Sequence, residues 1–442
     1  MGYSFFSEFK ALIHYMRLIL FAFLGLFVLS QHTCISYKHL ASVEEQKETT
    51  LKPLLENGWW LMKMDLGAEK LPIRFSLDTK TNCITIYNAE ERIVCEPATI
   101  TKDSLLFRAP VFQNEFRLKI INSKKVEGYW YNTSKGNYKI ACSAMYHSDE
   151  NTSLINGTYK QINYEVHFSS NTTDEYDAIG VFKFYESINL HNKIYTPVTG
   201  TFLTETGDYR YLEGNLVEGN LSLSCFDGSH AFLFKSQYGK SNDTLKGVFY
   251  SGNHFKEPWV GWENPKAKLR NPDSLTYLKP GFESIEFSFP DLEKNMVNFP
   301  SKQFENKVTI VEIMGSWCPN CMDETVYLQY LKTRYANSNL QIIALCYERY
   351  DNFEKSVNSV KKMKESLGAE YQFLIAGSAN KQKASETLPM LSSIYSFPTT
   401  IYIDKKGKIR KIFTGYYGPS TGSYHTMYKE QTESFIEKLL KE

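Results

Sequence analysis

From residue 55 to about residue 265, apolar and polar side chains alternate in short runs. Examples are Leu71-Pro72-Ile73-Arg74-Phe75-Ser76-Leu77, Gly180-Val181-Phe182-Lys183-Phe184 and Gly247-Val248-Phe249-Tyr250. A period of two turns one side of each run to a core and the other to water, as antiparallel strands do and helices do not. Turn segments such as Thr204-Glu205-Thr206-Gly207-Asp208 separate the runs, so residues 51–265 predict an all-β barrel or sandwich. Val126-Glu127-Gly128-Tyr129-Trp130-Tyr131 and Leu245-Lys246-Gly247-Val248-Phe249-Tyr250 resemble each other, which suggests two related halves meeting near residue 150.

Past residue 265 the pattern changes. Glu263-Asn264-Pro265-Lys266 and Asn271-Pro272-Asp273 mark a linker over 266–281. Residues 282–442 then alternate strand and helix. The pattern predicts a strand pair near 283–299, a buried strand over 308–314, a helix over 318–335, a strand over 341–346 and a helix over 351–367. A strand at 372–375, a helical stretch near 379–394, strands at 399–403 and 409–413 around the turn Lys406-Gly407, and a closing helix over 428–440 complete it. Strands interleaved with helices of these lengths predict a mixed α/β layer fold.

The chain's 442 residues exceed one ordinary domain, in keeping with two or three folded units. Its 30 Tyr and 29 Phe suit packed, sheet-rich domains. Lys plus Arg number 50 against 49 Asp plus Glu, so the overall basic field that recruits phosphate is missing and nucleic acid is not an expected partner. The first thirty residues differ from the rest: Lys10 and Arg17 precede an apolar run over 18–28 that is short for a bilayer span. Residues 1–30 therefore read as a signal peptide, with a cut after Ser30 or retention of 11–30 as an anchor, followed by a polar linker over 31–50. Gln31-His32-Thr33 before Cys34 is a poor match to a lipidation site. The expected location is the periplasm or cell envelope.

Eight cysteines are present, and only Cys318 and Cys321 form a C-x-x-C. Cys83 and Cys95 flank an apparent hairpin, which would bring them opposite one another for a structural disulfide. Trp317-Cys318-Pro319-Asn320-Cys321 falls where a buried strand ends and a helix begins. A cysteine there faces unpaired backbone N–H groups and the positive end of the helix dipole, which favour thiolate over thiol. Cys318 is thus the expected nucleophile. Pro319 suits the first helical turn, and Cys321, one turn on and deeper, is the expected resolving thiol. A lone C-x-x-C is also half of a zinc site, but no second C-x-x-C or C-x-x-H accompanies it. Pro398, in Phe397-Pro398-Thr399 ahead of a strand, is a candidate cis-proline facing the cysteines. Glu312 interrupts an apolar strand six residues before Cys318, where a carboxylate is costly without a partner. An even spacing would set the two on one face if the strand ran unbroken; an exposed edge position is the alternative.

On these residues, with Glu324, Thr400 and the later Ile403-Asp404-Lys405-Lys406-Gly407, residues 282–442 resemble the TlpA-like thioredoxins of bacterial envelopes. The extra segment at 346–377 is also typical of that family. The resemblance implies a thioredoxin-like fold in which Cys318 attacks, Cys321 resolves, and Pro398 shapes a substrate groove with Trp317, Pro319 and Phe397. Glu312 would handle the second thiol's proton. It implies disulfide-containing exported proteins as substrates, a membrane thiol transporter as electron donor, and neither flavin nor metal as cofactor. The β-rich part resembles N-terminal extensions of such proteins from Bacteroidetes-type bacteria. Two rivals remain. A thiol peroxidase would carry proline and threonine where this chain has Val311 and Gly315. A binding protein would use the β domain, with Arg210, Asp227 and His230 lining a pocket, although a turn in which Asp227 and His230 satisfy local backbone groups explains those two more simply.

Overall fold

The computed structural model describes residues 55–136, 138–148, 157–190, 192–238 and 244–442. The segments read as export signal and polar linker, and Cys34, lie outside them. Among the described residues no helix is long and apolar enough to cross a membrane.

The alternating segments become strands as their pattern requires. In Lys70–Asp78, Leu71, Ile73, Phe75 and Leu77 are buried while Arg74 and Ser76, at the alternate positions, are half-buried. Strands from Gly58–Asp65 to Lys139–His147 form an antiparallel meander whose first strand pairs with its last, with Glu91–Val94 and Thr99–Ile100 at its edges. The following run closes fully. Tyr159–Phe168 pairs with both Tyr176–Tyr185 and Phe255–Glu263, and Tyr176–Tyr185 with Lys193–Thr204, making an eight-stranded barrel. Closure removes the sheet edges, and Phe168, Phe202, Phe234, Phe249 and Trp259 fill the interior.

The two similar hexapeptides occupy the penultimate strands, Lys125–Asn132 and Thr244–Ser251, of these two units. At the shared glycine a Cβ would come within 2.1 Å of Arg117 O in one unit and 2.2 Å of Lys235 O in the other, so neither site admits a side chain. The units join where the Arg74 guanidinium meets the Glu213 carboxylate at 2.8 and 2.6 Å, and where the Asn88 side chain bonds the Phe226 backbone at 2.9 and 3.0 Å. The expected Cys83–Cys95 alignment is not what the hairpin adopts. Thr85 pairs with Val94 and the Cys95 N–H donates to Ile84 O at 2.8 Å, so Ile84 lies opposite Cys95, which turns into the core.

The C-terminal sheet runs Gln372–Ser378, Leu340–Glu348, Val308–Met314, Thr399–Ile403, Ile409–Thr414, with the first three parallel and the last two antiparallel. Helices Pro319–Arg334, Phe353–Leu367, Lys381–Thr387 and Ser423–Lys441 accompany it. This is the expected thioredoxin-like layer fold, and the central strand Val308–Met314 is buried along its whole length. Two elements differ from expectation. The stretch near 379–394 is helical only to Thr387, because Pro389 disfavours the α region at the residue before it, and Leu388 sits at φ −128°, ψ 67°. The closing helix starts at Ser423, ahead of the apolar positions that revealed it. The segment over 266–281 is packed rather than loose: Arg270 pairs with Glu205, and Asp273 with Lys411 at 3.4 Å.

Candidate active site

The strand Val308–Met314 delivers the chain to a loop clamped by its parallel neighbour. The N–H and hydroxyl of Ser316 donate to the buried Glu348 carboxylate at 2.8 and 2.6 Å, and Trp317 Nε1 donates to Tyr347 O at 2.9 Å. Cys318 then caps the helix in extended conformation, and its Sγ accepts the Cys321 N–H at 3.3 Å. That is the bond a capping serine or aspartate ordinarily makes, here made by sulfur in the field of the helix dipole. Pro319 occupies the first turn. Cys318 is 6% exposed and Cys321 0%, and both are thiols. Burial pushes the Cys321 thiol well up, and the neighbouring Cys318 and Glu312 push it the same way.

The Phe397–Pro398 peptide bond is cis. Phe397 O faces Cys318 and accepts from its Sγ at 3.6 Å. The Trp317 ring meets Phe397 edge-on at 5.6 Å and carries the Arg349 guanidinium 4.2 Å over its face. Trp317 and Pro319 adjoin Cys318 along the chain, and Phe397, which precedes the cis Pro398, faces it.

Glu312 is not at an edge. It is 0% exposed on the central strand, where Thr325 Oγ1 and Tyr371 OH donate to its carboxylate at 3.1 and 2.9 Å. The strand ends at Met314, so the even-spacing argument fails at the loop, yet Glu312 still lies close enough to the cysteines to act on Cys321's charge. Burial raises its carboxyl well above the usual range, and the charge of Glu324 adds to that. Glu324 is the partner that sequence reasoning did not place in the site. It is also 0% exposed, its Oε1 accepts from Thr400 Oγ1 at 2.6 Å and Tyr428 OH at 3.2 Å, and burial pushes it up to about 7. Of these two buried carboxyls, Glu312 acts on the deeper thiol and Glu324 acts on Glu312, and burial favours the protonated form of each.

Residues 279–426 match the family described as Redoxin. The C-terminal region is a redoxin domain. Among curated proteins, the thiol-disulfide oxidoreductase ResA of Geobacillus thermodenitrificans (strain NG80-2) is 26% identical over 164 residues, 37% of this chain and 80% of its own. ResA of Bacillus anthracis is 26% identical over 162 residues, 37% of this chain and 79% of its own. Among solved structures, a thioredoxin-family thiol:disulfide interchange protein from Chlorobium tepidum TLS aligns at 16% identity and TM-score 0.28, covering 39% of this chain and 99% of its own. A thiol-disulfide oxidoreductase from Bacteroides fragilis NCTC 9343 aligns at 14% identity and TM-score 0.26, covering 33% and 99%.

The redoxin domain does not form this site alone. Ser396 Oγ, next to Phe397, donates to Thr206 O of the barrel at 3.0 Å. A cleft of about 370 Å³ is lined by Tyr176, Arg210, Asp227 and His230 of the barrel and by Pro319 and Asn320 of the redoxin domain. The local-turn reading of Asp227 holds, since it accepts the N–H groups of Ser229 and His230 at 2.8 and 2.6 Å and pairs with His230 Nδ1 at 3.0 Å. The same residues nevertheless line the cleft with Arg210. Among the described residues, ligand atoms of His167, Glu175 and Asp177 lie within 4.8 Å of one another, and His167 Nδ1 stands 2.8 Å from Asp177 Oδ1.

Proposed function

We propose that this protein is a thiol–disulfide oxidoreductase of the cell envelope that reduces disulfides in exported proteins through Cys318 and Cys321. The observation that carries the reading is the Cys318 sulfur at the helix N-terminus, bonded to the Cys321 N–H and facing Phe397 O across the cis-proline loop. The curated relatives named as thiol-disulfide oxidoreductases support the reaction class.

In this reading the Cys318 thiolate attacks one sulfur of a substrate disulfide, and the other substrate sulfur leaves as a thiol. Cys321 then loses its proton and attacks the Cys318 sulfur of the mixed disulfide, which frees the second substrate thiol and leaves a Cys318–Cys321 disulfide. Two electrons pass to the substrate and are restored by a membrane thiol donor, so no bound cofactor is required. Because burial holds Cys321 protonated, the step needs a base, and the role falls to Glu312, whose charge acts on that thiol. Trp317, Pro319, Phe397 and Pro398 form the groove in which the substrate strand lies.

A second reading makes the chain a binding protein whose β domain is the working part, and the cleft at Arg210, Asp227 and His230 favours it. Reduction of insulin disulfides with dithiothreitol as electron source separates the two. An oxidoreductase accelerates reduction at catalytic concentration and loses the effect entirely in Cys318→Ala. A binding protein shows no turnover in either form.

A further inference from the structure

The two residues between the cysteines are held by the barrel. Arg210, which follows the barrel's Gly207–Asp208 strand, donates from Nη1 to Pro319 O at 3.0 Å and pairs through the same nitrogen with Asp323 on the next helical turn. Its Nη2 pairs with Glu91 of the first β unit. Asn320 Nδ2 donates to Asp208 O at 3.1 Å and sits only 2.2 Å from where a Cβ on Gly207 would lie, so a glycine at φ +138° leaves the room it needs. Asp208 is itself fixed, accepting from Arg210 N at 2.6 Å, Gly418 N at 2.8 Å and Ser420 Oγ at 3.2 Å. Arg210 is 7% exposed and stands at φ +56°, a conformation a long side chain adopts only when its surroundings impose it.

We propose that Arg210 is a positioning residue for the Cys318–Cys321 couple: it holds the Pro319–Asn320 turn in its dithiol geometry and so makes the couple more oxidising. The inference rests on the reading that these cysteines are a redox pair. Closing a disulfide demands a narrow set of Cα and Cβ separations, and any adjustment of the chain between the two cysteines would move the Pro319 carbonyl. Here the Pro319 carbonyl is pinned by a cation that two carboxylates hold in turn. Charge-assisted bonds of this kind are stronger and more directional than neutral ones. A contact formed in the dithiol state and weakened in the disulfide favours the dithiol by the difference. The barrel is then a built-in part of the redox centre as well as a neighbour of it.

The test is the equilibrium constant between dithiol and disulfide in the full chain, read by thiol alkylation and mass spectrometry across glutathione and dithiothreitol redox buffers, with thermal unfolding of both states alongside. Arg210→Met is expected to form the disulfide about tenfold more readily, about 30 mV more negative for a two-electron couple. Arg210→Lys should fall between, since an ammonium lacks the planar fork that reaches three acceptors. Glu91→Gln loosens Arg210 from the far side without touching the redoxin domain, so it should shift the constant the same way by less, and it serves if Arg210→Met does not fold. Variants that lose thermal stability but keep the wild-type constant would reduce Arg210 to an inter-unit tie and overturn the proposal. If the wild-type chain forms no Cys318–Cys321 disulfide in any buffer, the redox reading fails first and this inference goes with it.

Discussion

Glu324 sits one turn past Cys321, wholly buried, with Oε1 bonded to Thr400 and Tyr428 and Oε2 without a hydrogen-bond partner among the described residues. Its pKa rises from an ordinary 4.5 to about 7, chiefly through burial. A carboxyl whose folded value lies above its unfolded value binds more protons in the native state between the two, so stability falls as pH rises from about 4.5 to about 7. The full contribution is present below that window and gone above it. Glu324→Gln cannot ionise and should shrink the loss between pH 5 and pH 8 by up to roughly 3 kcal/mol, the worth of such a shift. Urea unfolding at the two pH values measures it, and an unchanged pH difference would count against a buried neutral Glu324. Cys318, Cys321 and Pro398 were legible because a short motif names them, and Glu312 because it breaks an apolar strand. The burial of Glu324 was not, since a glutamate in the first turns of a helix is ordinarily an exposed residue favoured by the dipole.

Among elements, local signals marked what local physics decides. Helix Phe353–Leu367 begins where Asn352 accepts the Lys355 N–H at 2.9 Å and ends at Gly368 in the left-handed region. Both residues are ordinary boundary signals that sequence alone exposes. Asn352→Ala should therefore cost about 1 kcal/mol of stability while leaving disulfide reduction unchanged. A denaturant titration with paired activity assays checks it, and equal stability of the two forms would show that the cap contributes nothing. The closing helix was legible only from Tyr428 because residues Ser423 to Met427 carry no apolar stripe, and the residues that bury it, Tyr428, Thr432, Ile436 and Leu439, start a turn later.

For the whole molecule, alternation reveals which face of a strand is buried but not which strand it pairs with. Barrel closure therefore stayed one of two options until the pairings of Tyr159–Phe168 were seen. The seating of Arg210 on the C-x-x-C turn was illegible for a related reason: its bonds join residues 109 and 113 positions apart, with no local pattern to announce them. The barrel meets the redoxin domain next to a cysteine pair with unequal members, Cys318 at a helix cap and 6% exposed, Cys321 fully buried below it. If that inequality is the mechanism, Cys321→Ala lacks the thiol that breaks the mixed disulfide. The deciding measurement mixes each reduced single-cysteine variant of the full chain with a disulfide-containing protein and quantifies covalent complexes on non-reducing gels. Cys321→Ala should accumulate complexes that dithiothreitol dissolves, and Cys318→Ala should trap far fewer. Equal trapping by both variants, or by neither, would contradict a nucleophile at Cys318 and a resolver at Cys321.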